Sequence, residues 1–189
     1  QLYNFERTDD VLEKPLRKNR MKKETLEAML SVVSKNKNAF AQYLNRKANM
    51  MGDEKLQFYN FWAPVETKAK EIQYEDAIDL VKDAFRIFGN QLEAFVTTAI
   101  EEQWIEAENR SKKSAAAFCA GFPMSEESRI FMTYDGTMKG ILTLAHELGH
   151  AFHNTAMNGV AGLNRQYPLC IAETASFFAE MIVLDAAIE

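Results

Sequence analysis

The sequence predicts a mainly α-helical chain with a small antiparallel β-sheet and, towards its carboxyl end, a helix suited to holding a metal ion. Three observations carry this. Apolar residues recur at three- and four-residue spacing over most of residues 1–110. Two short runs that fit strands, the second rich in β-formers, then flank Gly121-Phe122-Pro123-Met124-Ser125. Finally, His146 and His150 bracket Glu147 at the spacing of one helical turn.

Taken in order, residues 22–36 begin a helix with Leu26, Met29, Leu30 and Val33 on one face, and residues 37–51 read as another, ending at Gly52. Residues 53–61 form a short helix or turn closed by Pro64. Residues 74–88 place Ala77, Ile78, Val81, Phe85 and Phe88 on one face, and Gly89 allows a break before a helix that runs through Glu108. Such stripes are core seams by default. Asn109-Arg110-Ser111-Lys112-Lys113 reads as a basic, solvated linker, which divides a helical part, residues 1–110, from a carboxyl-terminal segment, residues 111–189. Strands are expected at residues 115–120 and 129–134. The second ends at an Asp135-Gly136 turn, and Thr137 is available to cap the helix that follows. An extended peptide could add to the exposed edge of this sheet through main-chain hydrogen bonds, with structural pairing alone as the alternative.

Two histidines four apart lie roughly 40° and 6 Å apart on one helix face, so both imidazoles reach one metal. Glu147 flanks that face, placed to take a proton from a metal-activated water without being a ligand. A chance match has odds on the order of one in a few hundred at these residue frequencies. All three histidines of the chain fall between positions 146 and 153.

A catalytic zinc takes three protein donors and keeps one position open. Glu173 is the candidate third donor, in a second helix that follows a turn signal around residues 164–168; the alternative is a solvated glutamate favoured by the helix N-terminus. Glu180, two turns on, is placed to orient a ligand imidazole, or is a surface carboxylate. His153 lies too far along the helix to join the donors and suits packing or a substrate contact.

With 189 residues and 47% apolar content the chain can bury a real core. A net charge of −5 offers no basic footprint for nucleic acid. No apolar run approaches the roughly 20 residues needed to span a bilayer, and no signal peptide is visible. The two cysteines, Cys119 and Cys170, make no disulfide framework, so a reducing cytoplasm is the simplest setting. Cys119 is read as a small buried residue, or as a thiol beside the cleft. Oligomeric state is not encoded in any visible pattern.

Thr143-Leu144-Ala145-His146-Glu147-Leu148-Gly149-His150-Ala151-Phe152-His153, followed by Pro168 and Ala172-Glu173-Thr174-Ala175-Ser176, resembles the oligoendopeptidase F branch of the thimet-oligopeptidase-like zinc peptidases. The resemblance extends to residues 114–119 and 128–137, and to Ala63-Pro64-Val65 with Lys55-Leu56. It implies a zincin-like catalytic segment, with zinc on His146, His150 and Glu173, Glu147 as the catalytic base, and short unfolded oligopeptides as substrates of a metalloendopeptidase. Members of that family continue past the third ligand and supply a further histidine and tyrosines. Here no histidine follows His153 and the only later tyrosine is Tyr167, so an internal or truncated segment of a longer peptidase is expected. The alternative function is a zinc-binding but catalytically incomplete fragment, or a helical interaction module.

Overall fold

The computed structural model describes residues 10–65 and 71–188, which fall in two compact units, residues 1–69 and 70–189. The first contains α1, Glu13–Lys18, and α2, Lys23–Met50, followed by a 3-10 turn at Phe58–Asn60. The two helices expected over residues 22–51 are one, because no glycine or proline interrupts residues 23–50. Gly52, in the left-handed region at φ 80°, closes it, and the Asp53 amide donates back to the Ala48 carbonyl at 2.9 Å. The expected core stripe on this helix is not buried: Met29, Leu30 and Val33 are all exposed. What α2 buries is its last turn, Lys47 and Ala48, where the Lys47 ammonium donates to the Phe61 carbonyl at 2.7 Å and ties down the following loop.

The second unit runs α3, Tyr74–Phe88; α4, Asn90–Glu101; β1, Ile105–Glu106; β2, Phe118–Phe122; β3, Glu127–Phe131; α5, Met138–Ala156; a 3-10 turn, Gly162–Arg165; and α6, Leu169–Ile188. On α3 the expected face is buried at Ala77, Ile78, Val81 and Phe85, joined by Ala84, whereas Phe88 stays largely exposed and meets Phe178 edge-on at 4.8 Å. Helix α4 ends at Glu101, short of the expected Glu108. Gln103 takes a left-handed φ of 55°, its amide donates to Ile100, and the Trp104 amide donates to Ala99 at 2.9 Å. That pair of bonds is a Schellman stop, sealed by the buried Trp104 ring against Phe95. The chain is thereby released into β1.

The sheet order is β1-β3-β2. β2 and β3 pair antiparallel, Phe118 with Phe131 and Phe122 with Glu127, as a hairpin whose turn includes Glu126 at φ 57°. β1 adds parallel to β3 through Ile105 and Ile130, so the small sheet is mixed. Lys113, expected in a solvated linker, instead has a side chain 1% exposed. Its ammonium donates to the Glu106 carboxylate and to the Glu108 and Met132 carbonyls while lying 4.6 Å from the centre of the Phe131 ring. A cation so fully matched staples β1 to the strand beside it.

Helix α5 starts as expected at Thr137, whose hydroxyl oxygen accepts from the Gly140 amide at 3.1 Å and itself donates to Asp135 at 2.6 Å. Its buried face, Ile141, Leu144, Ala145, Leu148 and Ala151, meets Ile130 of β3, Met132 just beyond it, and α6 residues Ala179 and Val183 in one core. The contact with α6 is closest at Gly149: a methyl there would lie 2.7 Å from the Ala175 carbonyl and 2.9 Å from Ala179 Cβ and Ser176 Cα. Among the described residues no helix is long and apolar enough to cross a membrane.

Gly149→Ala should therefore force the two helices apart and lower unfolding stability by roughly 1–3 kcal/mol, the usual cost of overpacking. Gly162→Ala, at a site with nothing within 4 Å, should be near neutral. Urea unfolding of both variants checks this; equal midpoints would show that the close approach is not needed.

Candidate metal centre

The one-turn spacing on α5 sets the His146 and His150 rings edge to face, their centroids 4.8 Å apart and their Nε2 atoms 3.2 Å apart. Glu173, one turn into α6, brings its Oε2 to 3.4 Å from His146 Nε2 and 3.6 Å from His150 Nε2. The three atoms form a nearly equilateral triangle whose centre is about 2 Å from each corner, the length of a zinc–nitrogen or zinc–oxygen bond. Two imidazoles and a carboxylate are also the donor set such an ion prefers. The residues present therefore fit a divalent metal. They form a potential metal-binding group in which all donor atoms lie within 4.8 Å of one another.

The surroundings orient these donors. His146 Nδ1 donates to Glu180 Oε1 at 2.5 Å, which fixes the tautomer and leaves the Nε2 lone pair facing the centre. Phe177 packs edge-on against the same ring at 5.7 Å. Burial holds the His150 imidazolium below its ordinary pKa, and neighbouring His146 adds to this, while Glu173 opposes it. A neutral imidazole is the form that binds a metal.

Glu147 is 5% exposed and its Oε2 has no hydrogen-bond partner in the protein. Burial raises its pKa; His146 pulls it down and Glu173 pushes it up again. It stands outside the donor triangle but lines the same cleft of about 400 Å³ with His146, His150, Asn154, Tyr167 and Glu173. The opposite wall is strand β2, through Phe118, Cys119 and Gly121. Among the described residues β2 has no strand on its outer side. Cys119 is half-buried there, its thiol pushed up to about 11 chiefly by burial.

His153 lies outside the donor group, as expected. Its ring stacks at a tilt on Tyr167 with centroids 4.6 Å apart, and it lines a separate apolar cavity of about 740 Å³ with Phe88, Leu92, Phe152, Phe178 and Ile182. Two residues escaped the sequence reading. Ser176, fully buried, places its hydroxyl 2.9 Å from Glu173 Oε2; its position three after Glu173 was the available signal. Asn154, one turn after His150, donates to Ser128 of β3 at 3.2 Å and lies against Gly121 of β2, which ties the hairpin to α5.

The chain is similar to known peptidases over most of its length. An oligoendopeptidase F homolog of Lactococcus lactis is 23% identical over 96% of this chain and 30% of its own length. The group B oligopeptidase PepB of Streptococcus agalactiae is 24% identical over 90% of this chain and 28% of its own. The chain thus spans about 30% of the length of the curated relatives it matches. A crystal structure from Chlamydophila abortus, 24% identical, superposes with a TM-score of 0.74 over 97% of this chain and 31% of that one. The structure of PZ peptidase A with an inhibitor, 21% identical, superposes at 0.68 over 77% and 26%. The model of peptidase family M3 matches residues 4–189, and the chain belongs to that family.

Proposed function

We propose that this chain carries the zinc site and catalytic base of a metalloendopeptidase that hydrolyses short, unfolded oligopeptides. The observation that carries the reading is the donor triangle of His146, His150 and Glu173 with the buried Glu147, its Oε2 without a partner, lining the same cleft. Zinc, when bound, supplies Lewis acidity that brings the pKa of water towards about 7 and polarises a carbonyl. Glu147, made more basic than an ordinary carboxylate by burial, takes the proton of the attacking water and hands it to the leaving amine. Glu180 holds the His146 ring in place through Nδ1. The outer edge of β2 suits an extended peptide, whose main chain would bond to the strand while its scissile carbonyl lies over the cleft. Main-chain recognition of this kind implies little dependence on side-chain sequence.

The purified chain should hold close to one zinc after dialysis, because all three donors lie within it. His146→Ala and Glu173→Ala should each abolish stoichiometric binding. Elemental analysis decides this, and full zinc content in both variants would place the metal elsewhere.

Glu147→Gln should keep the metal and lower turnover of a quenched oligopeptide by at least about 100-fold, the range for losing a general base. Parallel metal and cleavage assays separate base from ligand: loss of zinc in this variant would overturn the assigned roles. Stoichiometric zinc with no cleavage of any short peptide by the complete protein would instead favour a zinc-binding module without catalysis.

A further inference from the structure

We propose that Ser176 is a positioning residue that holds the Glu173 carboxylate in its metal-binding orientation; this rests on the zinc reading above. Glu173 needs such a restraint. Its side chain is 34% exposed at the mouth of the cleft, and a free glutamate there would exchange rotamers and lose its alignment with the imidazoles. Ser176 lies one turn along α6, on the same face, with no exposed surface. A hydroxyl shut away from water must donate within the protein, and two acceptors are in reach, the Glu173 backbone carbonyl at 3.0 Å and its Oε2 at 2.9 Å. The charged oxygen is the stronger acceptor, so the single proton goes to the carboxylate.

Oε2 is the same atom that forms the third corner of the donor triangle. A carboxylate oxygen has two lone-pair directions. With one engaged by Ser176, the other is left for the metal and cannot swing away without breaking a buried hydrogen bond. The serine itself is held by the backbone, since its Cα lies at the closest approach of the two helices, beside Gly149. Helix α5 thus acts twice on the metal, directly through its histidines and indirectly by fixing the residue that aims Glu173.

The test is zinc affinity by chelator competition on the purified chain. Ser176→Ala should weaken binding about 10- to 100-fold, the usual effect of removing a ligand's hydrogen-bond partner, while the metal-free protein keeps its helical content. In a Glu173→Ala background the same substitution should leave the residual zinc affinity unchanged, because its target is gone. Wild-type affinity in Ser176→Ala, or an equal loss with and without Glu173, would overturn the proposal. His146→Ala in the same series tells the two readings apart. If it too leaves zinc unaffected, the metal site has failed; if it abolishes binding while Ser176→Ala does nothing, only the role of Ser176 has.

Discussion

The absence of a side chain at Gly149 is the constraint on which the rest of the site depends. Histidines on α5 and carboxylates on α6 can share one ion only if the helix backbones approach more closely than two ordinary side chains allow. Gly149 permits this between His146 and His150, and the small residues Ala175, Ser176 and Ala179 meet it from the other side. Three polar contacts of the centre span this crossing: His146 to Glu173, His150 to Glu173, and His146 to Glu180. The helix that supplies the histidines is anchored at its start by Thr137 and Asp135, and along its buried face by the sheet. The packing of the two helices therefore sets the positions of these side chains, and little ordering cost would be left for the binding of an ion.

Charge placement follows from the same crossing. Three carboxylates, Glu147, Glu173 and Glu180, are gathered around two imidazoles, yet each meets a different environment. Glu180 is matched by an imidazole N–H and Glu173 by a serine hydroxyl, whereas Glu147 leaves its buried Oε2 without a partner. An unmatched buried carboxylate destabilises the fold, and such groups persist where they have a chemical task. The division of roles among three identical side chains is thus made by their neighbours rather than by their type.

Much of this was legible in the sequence, and the reasons differ by element. The helix face of residues 74–88 and the Thr137 cap could be read because each depends on local periodicity or on a single residue's hydrogen bonding. The histidine pair could be set on one face, and Glu180 on the face of Glu173, because helical spacing converts directly into distance; Glu173 itself came from the need for a third donor in a neighbouring helix. What could not be read was non-local. The stop at Gln103 requires a non-glycine residue in the left-handed region, stabilised by Trp104 entering a core assembled from distant segments. β1 is two residues long and gains its identity from β3, and Lys113 looks like a solvated charge until its acceptors converge on it. The exposed stripe on α2 shows the converse, that amphipathic spacing alone does not establish burial.

The open side of β2 has a consequence for how the molecule behaves in concentrated solution. Among the described residues no strand pairs with the outer side of β2, and such an edge is a template for any extended chain, including another copy in a partly unfolded state; Phe118 and Phe122 on this strand are exposed. Such an edge would be an aggregation hazard if it were long and flat. Here the strand is five residues long, includes Gly121, and has the Glu126–Glu127 pair with Arg129 at its hairpin end. Its brevity and flanking charge oppose growth into a wider sheet.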